Sequence, residues 1–362
     1  MVSRKLLAVL LFSVFVSPLA SAAGDPGFYG MLRGRDLSPF GYLRLDMRPG
    51  FTGSLEPGSW GMETDVAYQN TWATSPEVEK YLNKLEGRRE LGPAELQAIR
   101  DLPGENYLVD LELAQLDVTI NYQFSENWGS YLIVSGASFG GGFLDSTIES
   151  FHEAIDSPRF GRPAAARDDY NVLFDLKGSQ YAAFEAPSRG GLLDPVLGVR
   201  YTHSFEDRRW RLTAETAVKI PLADRSSALS TGRMDVGTQV SLQRFSGRHA
   251  VYMNLAAVYY AGMTNLVSEP SRVLPTLVVG YERRMTARTN LIFQGYLSRS
   301  VFQREQTDLS ELRGTKIQLS GGFHHRRGAN LFSFALTENI GNINNTPDIG
   351  VQVGWSVNPG WN

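Results

Sequence analysis

The chain has 362 residues, a formal charge of −3, 42% hydrophobic residues and no cysteine. It is long enough for one large domain or two small ones, too close to neutrality to mark a nucleic-acid partner, and without thiols for disulfide staples or thiolate metal sites. Gly numbers 36, Tyr 15 and Phe 19, while charged residues make up 20%, a balance that favours one sheet-built domain over two soluble ones.

Arg4 and Lys5 precede an apolar run from Leu6 to Val16, and Ala20-Ser21-Ala22 supplies small residues for cleavage before Ala23. The run is too short to span a bilayer, so residues 1–22 are read as a removable export signal, whose loss takes the charge to −5. An exported chain without disulfides draws its stability from its sheet or core alone, and closed barrels do so by pairing every edge. Residues 23–58 form a Gly/Pro-rich arm carrying Arg33, Arg35, Arg44 and Arg48. It is expected either in the periplasm, as a loosely ordered leader, or folded into a barrel mouth where Arg33 and Arg35 would meet carboxylates.

The barrel is expected over 59–362. Its first strand, Trp60–Trp72, puts Trp60, Met62, Val66, Tyr68 and Trp72 on one face and Glu63, Asp65 and Gln69 on the other, with a Trp at each end as in interfacial girdles. From Ser75 to Arg100 the period lengthens. Ser75 can cap, Pro76 suits a first helical position, and Val78, Tyr81, Leu82 and Leu85 fall three and four apart; a second helix starts near Pro93. This helical insertion belongs to a long, hence extracellular, connection.

The plainest strand is Gln115–Phe124. Leu116, Val118, Ile120, Tyr122 and Phe124 alternate with Gln115, Asp117, Thr119, Asn121 and Gln123, a period of two with one oily and one wet face. Its alternation changes phase near Leu113, where a bulge is expected. After Trp128–Ser138 come Gly140, Gly141 and Gly142, then Asp145, expected to cap a helix over 146–154 that buries Ile148 and Phe151 and leaves Glu149 and His152 more exposed. The segments Tyr170–Phe174 and Tyr181–Phe184 resemble a hairpin too short to span, since a tilted spanning strand needs about 9–11 residues, and are placed in an extracellular loop.

The Gly-Gly-Phe-Leu-Asp, Ile-Glu and Phe-His elements around Gly141, Gly142, Asp145, Glu149 and His152, with the Arg-x-x-x-Pro element upstream, resemble a family of Gram-negative envelope proteins catalogued as a domain of unknown function. The resemblance implies an outer-membrane β-barrel and brings no catalytic or binding residues with it.

Further spans lie near 197–205, 210–220, 236–242, 251–260, 274–281, 291–301, 317–323, 331–336 and 349–357, joined alternately by short and longer connections. The reading is therefore an all-β protein, a transmembrane antiparallel barrel of about twelve strands, or fourteen if the Tyr170 hairpin joins the wall. Trp355 or Trp361 would signal to the barrel-assembly machinery, although the chain ends on Asn362.

The inward positions are polar and mixed in charge: Asp117, Asn121, Arg211, Glu215, Lys219, Gln239, Gln243, Gln294, Ser298, Lys316, Gln318 and Gln352. Such a lining suits small polar solutes without strong preference for one sign of charge, or else pairs with itself and plugs the bore. A channel in outer-membrane lipid is the first reading, a structural or partner-binding barrel using the loops at 75–100 and 140–190 the second, and a lipid-modifying barrel enzyme the third. For the third, Tyr201-Thr202-His203-Ser204 comes close to a His-x-Ser dyad, but adjacent strand residues face apart unless a bulge realigns the pair. His152, His203, His249, His324 and His325 are too scattered for a metal site, no lysine follows Gly140–Gly142 as in a phosphate loop, and no cofactor or catalytic residue is expected.

Overall fold

A computed structural model describes residues 27–38, 41–48, 55–154, 156, 160–177, 179–183, 185–186, 189–207, 209–223, 226, 228–263, 270–340 and 345–358. The export signal, Phe184, Trp361 and Asn362 lie outside these, as does the side chain of Phe151. In chain order the strands are β1 (Trp60–Thr74), β2 (Asn106–Gln123), β3 (Trp128–Gly140), β4 (Asn171–Leu176), β5 (Ser179–Ala183), β6 (Gly191–Leu192), β7 (Val196–Ser204), β8 (Trp210–Lys219), β9 (Asp235–Ser246), β10 (His249–Tyr260), β11 (Arg272–Arg284), β12 (Thr289–Ser298), β13 (Lys316–Arg327), β14 (Asn330–Asn339) and β15 (Ile349–Val357). The helices are α1 (Pro76–Leu82), α2 (Pro93–Arg100), α3 (Asp145–Ala154) and α4 (Ser310–Arg313). None of them is long and apolar enough to cross a membrane, and the crossing is made by strands.

Twelve strands, β1–β3 and β7–β15, pair antiparallel with their sequence neighbours, and β15 returns to β1, from Met62 opposite Val357 to Asn70 opposite Ile349. Closure leaves no edge for another chain or for unpaired backbone in lipid. In β9, Asp235, Gln239 and Gln243 are buried inward while Val236 and Val240 stand exposed outside. The same alternation puts Leu255, Phe293 and Val353 on the outer surface, each more than half exposed, a belt that only acyl chains can cover. Short turns cluster at one end and long connections at the other; in barrels of this kind the first end is periplasmic and the second extracellular. Trp60 packs at a tilt against Tyr122 and Trp128 against Tyr201 at the periplasmic rim, forming an interfacial girdle.

The expected count of twelve wall strands holds, and three other expectations change. The fourteen-strand alternative falls because β4 pairs only with the upper end of β2, from Asn106 opposite Asp175 to Asp110 opposite Asn171, and β5 only with β4. No bulge occurs near Leu113: β1 and β2 stay in one-to-one register through Tyr68–Ala114, Gln69–Leu113 and Asn70–Glu112. The phase change is one of environment. Above Leu113 the inward positions Tyr107, Val109 and Leu111 join an apolar cluster with Leu37, Tyr42, Phe174 and Phe302 that caps the lumen, while outward Leu108 lies beneath α1 among Val78, Leu82 and Trp72. Trp72 is accordingly no girdle residue; it is 4% exposed, and its indole N–H donates to the Phe160 carbonyl at 2.8 Å. Finally, neither expected cap forms as a cap: the Ser75 hydroxyl bonds Asn106, and Asp145 begins α3 with its carboxylate turned to Arg162 and Asn70.

Candidate functional site

The lumen is occupied by the chain's own N-terminal segment. Residues 27–31 enter at the periplasmic rim, where the Tyr29 and Gly30 amides donate to Glu282 at 3.0 Å each and Asn290 donates to the Gly27 carbonyl at 2.8 Å. Gly30 has φ +94°, a left-handed conformation open to glycine, and its carbonyl takes a hydrogen bond from His324 at 3.0 Å. The segment rises through the bore, turns over in a short 3₁₀ turn at Gly41–Leu43 beneath the extracellular loops, and descends through Arg48 toward Leu55, which packs at Gly61 on the periplasmic end of β1.

Charge fixes it to the wall at three heights. Low in the bore, Arg33 grips Glu63 with two hydrogen bonds of 2.9 and 3.0 Å, and Asn121 donates to the same carboxylate at 3.0 Å. Mid-bore, Asp117 receives Arg35 from the rising leg, Arg48 from the descending leg at 3.2 Å, and the Ser135 hydroxyl. At the top, Lys316 pairs with Asp36 at 2.7 Å, and Lys219 holds the Leu43 carbonyl at 2.7 Å, Thr231 at 2.9 Å and Asp235 at 3.0 Å. All these charges are almost sealed from solvent, so each partner is needed to offset the desolvation of the other.

The residues expected to line the lumen are found as follows. Asp117, Asn121, Glu215, Lys219, Gln239, Gln294, Lys316 and Gln318 are buried on the inner face. Glu215 pairs with Arg200 and accepts from Gln239, whose amide also donates to the Arg48 carbonyl at 2.8 Å. Gln352 donates to Asp65 at 3.2 Å, Ser298 lies 3.1 Å from Thr276, and Gln243 is fully buried. Arg211 is half-buried, its guanidinium over the Phe245 ring at 5.5 Å. Missing from that set were the arm's own Asp36, Asp46 and Arg44 and the wall residues Glu63, Arg200 and Glu282. The signal available was the surplus of arginine in a segment otherwise rich in Gly and Pro. The cavities left between segment and wall are small, about 30 Å³ beside Arg200 and Glu215 and about 10 Å³ beside Gln294, room for a water or two.

Gly141, Gly142, Asp145, Glu149 and His152 are not brought into the lumen. They clamp the extracellular cap onto the outside of the wall. A Cβ on Gly142, at φ +78°, would lie 1.9 Å from Glu112, and Glu112 accepts the Phe143 and Leu144 amides at 2.9 and 2.6 Å. Asp145 takes Arg162 at 3.0 Å, and Glu149 takes Arg88 and Arg167 at 2.6 Å each. Burial, assisted by nearby Arg162, pushes the pKa of His152 below its usual value. His203 and Ser204 are exposed at the periplasmic end of β7, where the imidazole packs edge-on against Phe205. Among the described residues no three His, Cys, Asp or Glu side chains are grouped to hold a metal ion.

A closed antiparallel wall with an apolar outer belt and a polar bore defines an outer-membrane β-barrel. The chain belongs to the family described as a protein of unknown function (DUF3187), whose profile matches residues 103–358. Among solved structures it is similar to an outer-membrane channel from Pseudomonas putida F1, with 11% identity, TM-score 0.54, and coverage of 86% of this chain and 99% of that one. It is also similar to the NanC porin (6% identity, TM-score 0.41, 82% and 98% covered) and the CymD monoaromatic hydrocarbon channel (11%, 0.38, 84% and 89%). At such identities the likeness is one of fold. No curated protein matches the sequence.

Proposed function

We propose that this barrel is a channel for small polar solutes, closed by its N-terminal segment and opened when that segment shifts. The observation that carries this reading is that the segment filling the bore is not a strand of the sheet: it is held by side-chain ion pairs and hydrogen bonds, which can exchange partners without breaching the wall. The lining left behind would be polar and of both charge signs, suited to hydrated solutes. The lipid of the outer membrane would cover the belt, and the barrel-assembly machinery would insert the strands.

The cysteine-free chain permits a direct test. A Cβ on Gly237 of β9 would lie 2.8 Å from Met47 Cγ in the descending leg, close enough for a disulfide. The Met47→Cys/Gly237→Cys protein in planar bilayers should conduct when reduced and fall silent when oxidised. Silence in both states, with the parent silent too, would defeat the channel reading and leave the structural or partner-binding barrel, which the small size of the residual cavities favours.

A further inference from the structure

The bore is not uniform around its circumference. On one side of the N-terminal segment the wall presents Glu63, Arg200 and Glu215 to Arg33 and Arg48. On the other side, the cavity at Gly34 is lined by Gln69, Gln294, Gln318, Gln352, Ser320 and Thr337, contributed by β1 and β12–β15, and no charged wall residue lines it. The one cation there is Arg35, whose head is taken up by Asp117.

Gln69, Gln294 and Gln318 are at most 5% exposed, yet Gln69 Oε1, both terminal atoms of Gln294 and Gln318 Nε2 have no hydrogen-bond partner. Arg35 Nε is unpartnered as well. Buried amides without a protein partner are costly, each by about 1–3 kcal/mol, so this face is ready to take hydrogen-bonding partners when the segment moves aside. The cavity of about 10 Å³ holds one water, which cannot satisfy them all. Each glutamine offers a donor and an acceptor and no charge. Hydroxyl groups likewise donate and accept, so a small polyol or sugar matches this wall, whereas an ion would lose its hydration and meet no counter-charge.

We infer that the Gln69–Gln294–Gln318–Gln352 face is the recognition lane of the channel and that its ligands are small, neutral, hydroxyl-rich solutes. The inference rests on the channel reading and deepens it. The segment bounds the lane at Gly34, where an added Cβ would come within 3.1 Å of Gln294 Nε2, so displacement there would widen the lane.

The test uses the full chain in proteoliposomes, with swelling in L-arabinose and glycerol and bilayer conductance in KCl. Gln294→Leu/Gln318→Leu, close in volume to the parent, should slow arabinose swelling about fivefold, the factor expected for the loss of roughly one net hydrogen bond, and lower KCl conductance far less than that. Gln294→Glu places a carboxylate in the lane and should turn the reversal potential in a KCl gradient toward cations. Heat-modified gel mobility like that of the parent confirms a folded barrel for each variant. Arabinose swelling unaltered by the double substitution, or swelling and ionic conductance falling by the same factor, would overturn the lane while leaving the channel standing. A parent that neither swells nor conducts would remove both.

Discussion

Arg35, on the rising leg of the N-terminal segment, is paired with Asp117 of β2, eighty-two positions later in the chain, and the same carboxylate receives Arg48 from the descending leg. One acidic side chain, 2% exposed, thus ties both legs to the wall at mid-bore.

Replacing that carboxylate should therefore free the segment more than any single change on the segment itself. In Asp117→Asn two guanidinium groups lose their counter-charge in a buried site, a cost of roughly 3–5 kcal/mol. The expected outcome is trypsin cleavage after Arg33, Arg35 and Arg48 in a barrel whose strands stay intact, read by N-terminal sequencing, with conductance above that of the parent. A segment as resistant as before would contradict the anchoring role.

Lys219 holds the turn of the segment from above. Its ammonium bonds the Leu43 carbonyl and Thr231 and pairs with Asp235, which also accepts the Leu45 amide at 2.9 Å. Lys219→Met keeps the length of the side chain and removes its donors. Hydrogen exchange of the amides over 41–47 should then accelerate by at least about tenfold, the factor for about 1.4 kcal/mol, with little change in the amides of β10 and β11.

The periplasmic girdle should contribute to insertion rather than to closure of the bore. Trp60 is 60% exposed on the outer surface and packs at a tilt against Tyr122 with ring centroids 4.4 Å apart. Trp60→Ala should lower the unfolding free energy in bilayers by about 1–2 kcal/mol, measured by denaturant titration, and leave conductance as it was.

The extracellular cap should loosen in acid. Burial alone would raise the pKa of Glu149, but hydrogen bonds and charge from Arg167 and Arg88 outweigh it and hold the carboxyl below its ordinary value of 4.5. A depressed carboxylate pKa stabilises the fold in the ionised form. The contribution is therefore complete above pH 4.5 and disappears as the pH falls through the lowered folded value. Exchange protection of α3 should decline over that acid range in the parent. In Glu149→Gln it should already be weak at neutral pH and nearly flat below.

Much of the architecture was legible in the residues because strand alternation is a local property: side chains two apart share a face, so Gln115 to Phe124 announces one wet and one oily surface whatever lies around it. The twelve-strand wall, the helical cap and the loop position of the Tyr170 hairpin all follow from such patterns and from connection lengths. The path of the arm does not, because Arg33 and Arg35 carry no local sign of whether Glu63 and Asp117 or water will meet them. Nor does the apparent phase break at Leu113, where the backbone stays regular and only the surroundings exchange polarity. Alternation tells which residues share a face. Which face meets lipid, helix, plug or solute is set by contacts between positions far apart in the chain, and only the closed tertiary structure brings those together.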